Sequence, residues 1–227
     1  RDDIQSNCDD NISIGREGLI KSLKEIRGNQ VFMGIDWGTG EQTFTVVVIA
    51  RYLNNRFTIL YAQRFEGQLS EPISQLARID ELIKRWHVQI IGVDYGGGFD
   101  RNDAMIRKHG PRKIFKYQYS TITRGKVVWD GGLSRFLVNR TEVMSDVFNA
   151  IKRRNVFRFP RWSEWEKPFA SDMLNIFSEY SEERRVNEYR KSKGVTDDTF
   201  HAITLAFIAS NILHPRPDVL IPQKVKY

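Results

Sequence analysis

The feature that most constrains this chain is an apolar strand that runs into an aspartate and then into glycines. Residues Val31 to Ile35 are almost continuously apolar, as in a strand covered on both faces, and Asp36 follows directly. Gly38 and Gly40 then mark a turn where backbone or ligand comes close. A carboxylate at the end of a buried strand is costly to desolvate without a partner, and a divalent cation is one common partner. Aspartate also starts many turns, so this stretch alone leaves a turn and a metal ligand open.

The same pattern occurs a second time. An amphipathic helix is predicted over Glu71 to Trp86, with Ser70 as its N-cap, because its apolar residues recur at intervals of three and four. The strand Gln89 to Val93 follows and ends in Asp94 and three glycines. Ligands of open α/β sheets bind at the carboxyl ends of strands, so two such aspartates on neighbouring parallel strands would share one crevice. Two close carboxylates repel unless a cation lies between them, which makes a metal the leading hypothesis.

The third acidic feature is the start of a late helix. Thr196 or Asp197 is expected to cap this helix, which is so densely apolar from Ala202 onward that it must pack against the sheet. Asp198 and His201 are three residues apart and therefore lie on one helical face. Acidic residues also favour helix N-termini for electrostatic reasons, so capping and metal binding remain alternatives here.

The remaining elements follow from periodicity and turn residues. Strands at Thr43 to Arg51 and Phe57 to Phe65 would form an antiparallel meander with the first strand. Further helices are predicted at Arg16 to Ile26, Asp100 to His109, Thr141 to Arg153 and Trp162 to Tyr180. Further strands are predicted at Arg112 to Tyr119, Lys126 to Trp129, Leu133 to Val138, Val156 to Phe159 and Val186 to Arg190. The fold class is therefore α/β, with a central mixed sheet flanked by helices and an added basic β-hairpin.

Charge favours an anionic partner. The chain carries 35 Lys and Arg against 28 Asp and Glu, for a net charge of +7. Between Arg107 and Arg161 there are 14 basic and three acidic residues, interleaved with aromatic ones, a composition that suits a polynucleotide. A hairpin beside a carboxylate site could steer a phosphate backbone, although edge hairpins also carry lysine for solubility. The candidate DNA-binding residues are Arg112, Lys113, Lys116, Arg124 and Lys126.

Composition also excludes some classes. The single cysteine, Cys8, rules out an internal disulfide and a zinc site built on a C-x-x-C pair, and favours a reducing compartment. No apolar run approaches the roughly 18 residues of a membrane helix, and no signal-peptide pattern opens the chain.

The three acidic features, in this order, resemble the ribonuclease H-like nucleases, as does the order strand, strand, strand, helix, strand. Within that superfamily the chain is most similar to the nuclease domain of the large terminase subunit of tailed bacteriophages. In that family a D-x-G-x-G turn, an aspartate before a glycine-rich turn and a D-D-x-x-[DH]-A helix start recur. Here they stand as Asp36 to Gly40, Asp94 to Gly98 and Asp197 to Ala202. The resemblance covers most of the chain from Val31 to Leu213.

The resemblance implies an endonuclease that cuts concatemeric viral DNA during genome packaging, with two Mg²⁺ or Mn²⁺ ions. Asp36 would be the ligand shared by both ions, Asp94 would complete the shell of one ion, and Asp198 that of the other. Asp197 would be either a ligand or a cap. His201 stands where an acid is more usual, and imidazole suits manganese better than magnesium.

The resemblance also implies partners. They are double-stranded DNA without sequence specificity, an ATPase motor domain in the full-length chain, the small terminase subunit and the portal protein, in the cytoplasm of the infected bacterial host. No G-x-x-x-x-G-K-[ST] motif is present, and the chain begins at Arg1 without methionine, so a fragment of a longer polypeptide is expected. Residues 1–30 would then be a linker or the end of a preceding domain, 31–214 the nuclease domain, and 215–227 a C-terminal tail.

Three alternatives stay open. Gly34 to Gly40 also resembles the phosphate loop of actin-like ATPases and sugar kinases, although that fold duplicates its core in a longer chain and gives the acidic helix start no task. Holliday-junction resolvases and transposases share the acidic triad. A non-catalytic DNA-binding module would use the basic block and not the acids.

Overall fold

The structure, a computed structural model, describes residues 1–14, 30–39, 43–53, 55–120, 125–183 and 185–212. The predicted helix at Arg16 to Ile26 and the predicted C-terminal tail lie outside these residues, as do Gly40 and Arg124.

Most strands of the described part of the chain belong to one mixed sheet. The strands are β1 (Val31–Asp36), β2 (Thr45–Leu53), β3 (Arg56–Phe65), β4 (Ile90–Asp94), β5 (Ile114–Ser120), β6 (Val127–Asp130), β7 (Arg135–Asn139), β8 (Phe157–Arg158), β9 (Ile176–Ser181) and β10 (Val186–Lys191). Eight of them form the sheet, in the order β6-β7-β5-β4-β1-β2-β3-β8, and β9 and β10 form a separate antiparallel hairpin. Strands β1 to β3 are an antiparallel meander, and β4 runs parallel to β1 and β5. The predicted mixed sheet is confirmed.

The predicted basic hairpin is present as β6 and β7, but it is not a separate appendage. Strand β7 pairs in parallel with β5, so the hairpin continues the main sheet to its edge.

The helices are α1 (Asp2–Gln5), α2 (Pro72–Arg85), α3 (Phe99–His109), α4 (Arg140–Lys152), α5 (Trp162–Trp165), α6 (Ser171–Leu174) and α7 (Asp198–Ser210), with a 3₁₀ turn at Gly67–Ser70. Helices α2 and α3 cover one face of the sheet, and α4 and α7 cover the other. No helix in the described ranges is both long enough and apolar enough to cross a bilayer.

Helix α7 lies unusually close to the two central strands because glycines face it. A Cβ atom at Gly34 would be 1.9 Å from the carbonyl oxygen of Ala202, and one at Gly92 would be 2.4 Å from that of Leu205. Gly34 and Gly92 are register partners on β1 and β4. The residues two positions further along a strand point to the same face, so the side chains that follow these glycines also face α7.

The prediction of a helix at Trp162 to Tyr180 is wrong. Helices α5 and α6 are single turns joined by a wider turn at Glu166–Ala170, and β9 begins at Ile176. Pro168 lacks an N–H and restricts the residue before it, and Lys167 has extended angles of φ −127° and ψ 133°. The residues after Asn175 instead pair with β10, which satisfies their backbone groups across the hairpin.

The prediction of Ser70 as the N-cap of the first helix is also wrong. Ser70 closes the 3₁₀ turn through a hydrogen bond to the carbonyl of Gly67, and α2 begins two residues later. Its first residue is Pro72, whose fixed φ suits the first position of a helix, and no side chain of the described residues caps it.

Helix α4 has a side-chain cap. Asn139 accepts a hydrogen bond from the backbone N–H of Glu142 at 3.1 Å and donates one from its amide to the Glu142 carboxylate at 2.9 Å. We expect Asn139→Ala to lower the free energy of unfolding by about 1 kcal/mol in urea denaturation. Asn139→Ser, which keeps an acceptor without adding a charge beside Glu142, should retain most of that stability, and equal losses in the two variants would contradict the capping role.

Residues 1–14 pack onto the same core. Ile4 is buried in the cluster beneath α4, and the Asn7 amide donates to the carbonyl of Ile151 at 2.8 Å. Cys8 forms a parallel bridge with Phe159 beyond β8. That this part of the chain is a joint to another domain stays a prediction.

Candidate metal centre

The two predicted strand-end aspartates are neighbours. Asp36 ends β1 and Asp94 ends β4, directly after the register pair Ile35 and Val93. Because each lies two residues beyond a glycine under α7, both face that helix. The expectation that these two aspartates end neighbouring parallel strands is confirmed.

Helix α7 brings two more acids to the same place. Asp197 precedes its first turn and Asp198 begins it, and both residues are buried. Burial, and then the charges of Asp94, Asp198 and Asp197, raise the pKa of Asp36 well above its usual range. These four residues are called the acid cluster below.

Asp36 stands out by its lack of partners. Across the described residues, no hydrogen bond or ion pair reaches its carboxylate, although the residue is only partly exposed. An ionised carboxylate that is both desolvated and surrounded by like charge is unfavourable on its own. The arrangement therefore favours a cation at this position.

Asp94 and Asp198 each use one oxygen within the protein. Oδ2 of Asp94 accepts a hydrogen bond from the N–H of Gly97 at 2.7 Å, and Oδ2 of Asp198 accepts one from the N–H of Phe44 at 2.9 Å. Burial, and then the charges of Asp172 and Asp197, raise the pKa of Asp198 in spite of that bond. In both residues Oδ1 meets no partner among the described residues and is left for another one.

Asp197 has both of its oxygens occupied. Oδ1 accepts a hydrogen bond from the ammonium of Lys191 at 2.5 Å, and Oδ2 lies 3.0 Å from Nε2 of His201. Burial alone would raise the pKa of Asp197, but His201 and Lys191 outweigh it and lower the pKa to about 2. The other ring nitrogen of His201 lies 3.1 Å from the hydroxyl of Tyr119, so both nitrogens of His201 are also occupied.

The first turn of α7 is fixed by Asp172, a residue that was not singled out from the sequence. Asp172, which is 1% exposed, accepts hydrogen bonds from Arg64, from the hydroxyl of Thr196, and from the hydroxyl and N–H of Thr199. It supplies the cap that was predicted for Thr196 or Asp197. Asp197 does occupy the N-cap position, but its side chain makes no capping bond. No local sequence pattern marks Asp172, because its partners Arg64, Thr196 and Thr199 are far away along the chain.

The end of β4 is tied to the end of β1 through one buried side chain. The indole N–H of Trp37 donates to the Asn102 side chain at 2.8 Å, and the Asn102 amide donates to the carbonyl of Asp94 at 2.8 Å. Asn102 is fully buried, and Arg101 stacks on the Trp37 ring at 4.4 Å. Asn102 therefore fixes the backbone of Asp94 relative to Trp37, the residue that follows Asp36.

The four acids lie close together, but their side chains do not have the arrangement of a complete metal-ligand set. In the ranges that the structure covers, no three Asp, Glu, His or Cys side chains stand ready to hold one ion. The hydrogen bonds above explain this, because three of the four carboxylates are turned toward protein donors.

The four candidate DNA-binding residues that the structure describes do not form one surface at the acid cluster. Arg112 and Lys113 precede β5 at the level of the start of β4, the opposite end from Asp94. Lys116 points to the face away from α7, where it lies 3.9 Å from Asp103 and near the ring of Tyr95.

Lys126 is at the open end of the edge hairpin. Strands β7 and β5 separate it from β4, and it forms an ion pair with Asp146 at 2.6 Å. The turn of the hairpin points away from this end. Arg124 lies outside the described residues. The DNA-binding role of all five residues stays a prediction.

Solved structures share this fold. A large terminase from a thermophilic bacteriophage matches with a TM-score of 0.57 and 12% identity, over 92% of this chain and 43% of that chain. The large terminase nuclease from the thermophilic phage G20c matches with a TM-score of 0.54 with bound cobalt and 0.50 with bound zinc. Both G20c comparisons have 15% identity over 80% of this chain and 81% of that one.

This chain spans less than half of the first of these proteins, the large terminase. No protein-family model and no curated protein matches the sequence. The sheet order and these structures agree with the resemblance drawn from the three acidic motifs. The chain therefore has the ribonuclease H-like fold of the nuclease domains of large terminases.

Proposed function

We propose that this chain is a metal-dependent nuclease that hydrolyses phosphodiester bonds in double-stranded DNA. The observation that carries the proposal is the acid cluster: four carboxylates meet at the carboxyl edge of the sheet, and one of them, Asp36, has no protein partner among the described residues. The G20c nuclease domain, which shares the fold, has been solved with bound cobalt and with bound zinc.

The donor set fits a hard divalent cation. Asp36 offers two free oxygens, and Asp94 and Asp198 offer one each, so oxygen ligands of the kind that Mg²⁺ and Mn²⁺ prefer are available. We propose Asp36 as the shared ligand of two ions, with Asp94 and Asp198 each serving one. Asp197 and His201 were predicted as further ligands, but their protein partners favour a positioning role for both.

The three proposed ligands have different roles at the metal centre. Divalent cations at this site would lower the pKa of an attacking water and neutralise charge on the leaving oxygen. The N–H groups of Gly97 and Phe44 hold Asp94 and Asp198 by one oxygen, which leaves the other free to turn toward the ion. The strand register puts Asp36 beside Asp94, and the charges of both Asp94 and Asp198 act on it.

The wider role follows from the fold alone and is proposed as such. We infer that the chain is the nuclease part of a large terminase that cuts concatemeric viral DNA during packaging. Its partners would be an ATPase motor domain, the small terminase subunit and the portal protein, in the cytoplasm of an infected bacterium.

The direct test is nicking of supercoiled plasmid in the presence of Mn²⁺. The parent protein is expected to convert plasmid to open-circular and linear forms, and EDTA should stop the reaction. Asp94→Asn and Asp198→Asn should each reduce the rate by at least about 100-fold, since each removes a charged ligand. The proposal fails if the parent does not cut, or if both variants cut at the parent's rate.

A further inference from the structure

Lys191 brings a positive charge into the acid cluster. Its ammonium donates a hydrogen bond to Asp197, and it also lowers the pKa of Asp36 and of Asp198, so it lies close to three of the four acids. About a third of its side chain, 33%, remains exposed. A cation in this place opposes the binding of a metal ion, so its presence calls for a separate reason.

The position of Lys191 is fixed by the β9–β10 hairpin. Lys191 is the last residue of β10 and pairs with Ile176, and Tyr189 lies on the same face two residues earlier. The Tyr189 ring stacks on Phe148 at 5.2 Å, its hydroxyl lies 2.9 Å from that of Ser145, and its carbonyl accepts a hydrogen bond from Arg140 at 2.9 Å. The strand that presents Lys191 is thus anchored on α4.

A chain of hydrogen bonds fixes the acceptor of Lys191 as well. Tyr119, His201 and Asp197 follow one another at 3.1 Å and 3.0 Å, and Asp197 then meets the ammonium. A neutral imidazole with its hydrogen on Nε2 satisfies both contacts: it donates to the ionised Asp197 and accepts from the tyrosine hydroxyl. Asp197 can therefore hold Lys191 in one orientation.

The ammonium retains unused donors. A lysine has three N–H groups, and within the described ranges Asp197 is the one acceptor that Lys191 reaches. The contact with the buried Asp197 fixes the ammonium, while about a third of the Lys191 side chain stays accessible from outside. Free donors on a fixed, accessible cation suit a phosphate oxygen.

We propose that Lys191 contacts a non-bridging phosphate oxygen of the DNA strand bound at the acid cluster, and that Tyr119, His201 and Asp197 are positioning residues that hold it there. This inference rests on the proposed function. It assigns to the hairpin a direct contact with the substrate, and it explains why a tyrosine, a histidine and an aspartate are aligned beside the site.

The test compares Lys191→Ala with Lys193→Ala, a control that removes the same charge from the exposed loop two residues later. Binding of a labelled duplex and its cleavage are measured separately under single-turnover conditions with Mn²⁺. Lys191→Ala should weaken DNA binding by about 10- to 100-fold, because it removes a charge-assisted hydrogen bond. Lys193→Ala should change it by less than about 3-fold, and Lys191→Arg should recover part of the loss.

Two further measurements separate a phosphate contact from a structural role. Mn²⁺ affinity, measured by calorimetry without DNA, should be unchanged or tighter in Lys191→Ala because a competing cation is gone. Tyr119→Phe, which removes the hydroxyl that contacts His201, should weaken DNA binding less than Lys191→Ala does.

Equal DNA affinity in the Lys191 and Lys193 variants would overturn the inference, and so would a loss of Mn²⁺ binding in Lys191→Ala. A parent protein that binds duplex but does not cut it would refute the proposed function, while the Lys191 contact would still be judged on binding alone.

Discussion

The Asp36→Asn variant is expected to be more stable than the parent protein without metal, and to lose both the stabilisation by Mn²⁺ and the cleavage of DNA. In the parent, burial and three neighbouring acids raise the pKa of Asp36, so the ionised side chain destabilises the folded state. Asparagine keeps the shape and removes the charge. On the proposed assignment of Asp36, the same substitution removes the ligand that the bound cations share.

The pH dependence has a definite sign. Because the folded-state pKa of Asp36 lies above the unfolded value of about 3.9, the parent loses stability as pH rises from that value toward the folded pKa, by up to about 1.4 kcal/mol per pH unit. The variant lacks this loss. Without metal, the difference in free energy of unfolding between variant and parent should therefore increase with pH above about 4 and then level off.

Metal should reverse the order of stability. At a free Mn²⁺ concentration of roughly 100 times the dissociation constant, the parent should gain about 2.7 kcal/mol, and the variant should gain none. Thermal and urea unfolding with and without Mn²⁺ measure both effects. Asp103→Asn is the matched control, since Asp103 is partly exposed and sits 3.9 Å from Lys116 on the other face of the sheet. A variant that Mn²⁺ still stabilises like the parent would rule out Asp36 as a ligand.

The Gly34→Ala variant is expected to lose about 4 kcal/mol or more of unfolding free energy. The added Cβ would stand 1.9 Å from the carbonyl oxygen of Ala202 and 2.6 Å from the nitrogen of Ala206, both of them backbone atoms of α7 that cannot rotate away. The entropic benefit of replacing glycine, at most about 1 kcal/mol, is too small to compensate.

A matched substitution isolates the contact with α7. Gly131→Ala, in the turn of the edge hairpin, places its Cβ no closer than 3.5 Å to any neighbour and should change stability by less than about 1 kcal/mol. Urea denaturation of both variants gives the comparison. If Gly34→Ala is too unstable to purify, Gly92→Ala tests the same contact with more room, at 2.4 Å. Equal midpoints for the Gly34 and Gly131 variants would show that α7 is not held this tightly.

Local sequence patterns predicted the acids of the site better than they predicted some elements. Asp36, Asp94 and Asp198 could be placed because each follows a strong pattern, an apolar strand into glycines or an acid before a dense apolar helix. Those patterns are local and are set by burial, so a single sequence suffices to recognise them.

Other parts of the site depend on contacts between distant segments. Asp172 lies in the short helix α6, and its role depends on Arg64, which is 108 positions away. Only pairing with β10, which ends in Lys191, decides that Ile176 to Ser181 is a strand. The hydrogen bond between Tyr119 and His201 joins residues 82 positions apart. Contacts between residues so far apart leave no mark in the local hydrophobic periodicity, and for that reason they could not be predicted from the sequence.

The hydrogen bonds of Asn102 limit how the candidate site can change shape when an ion binds. Since the asparagine links the carbonyl of Asp94 to Trp37, the backbones that carry Asp36 and Asp94 behave as one rigid frame. Because α7 is packed just as closely on both strands, any adjustment between states with and without a bound ion falls on the side-chain torsions of the acids. Ions of different radius would accordingly be accommodated by rotation of the carboxylates and not by movement of the elements that carry them.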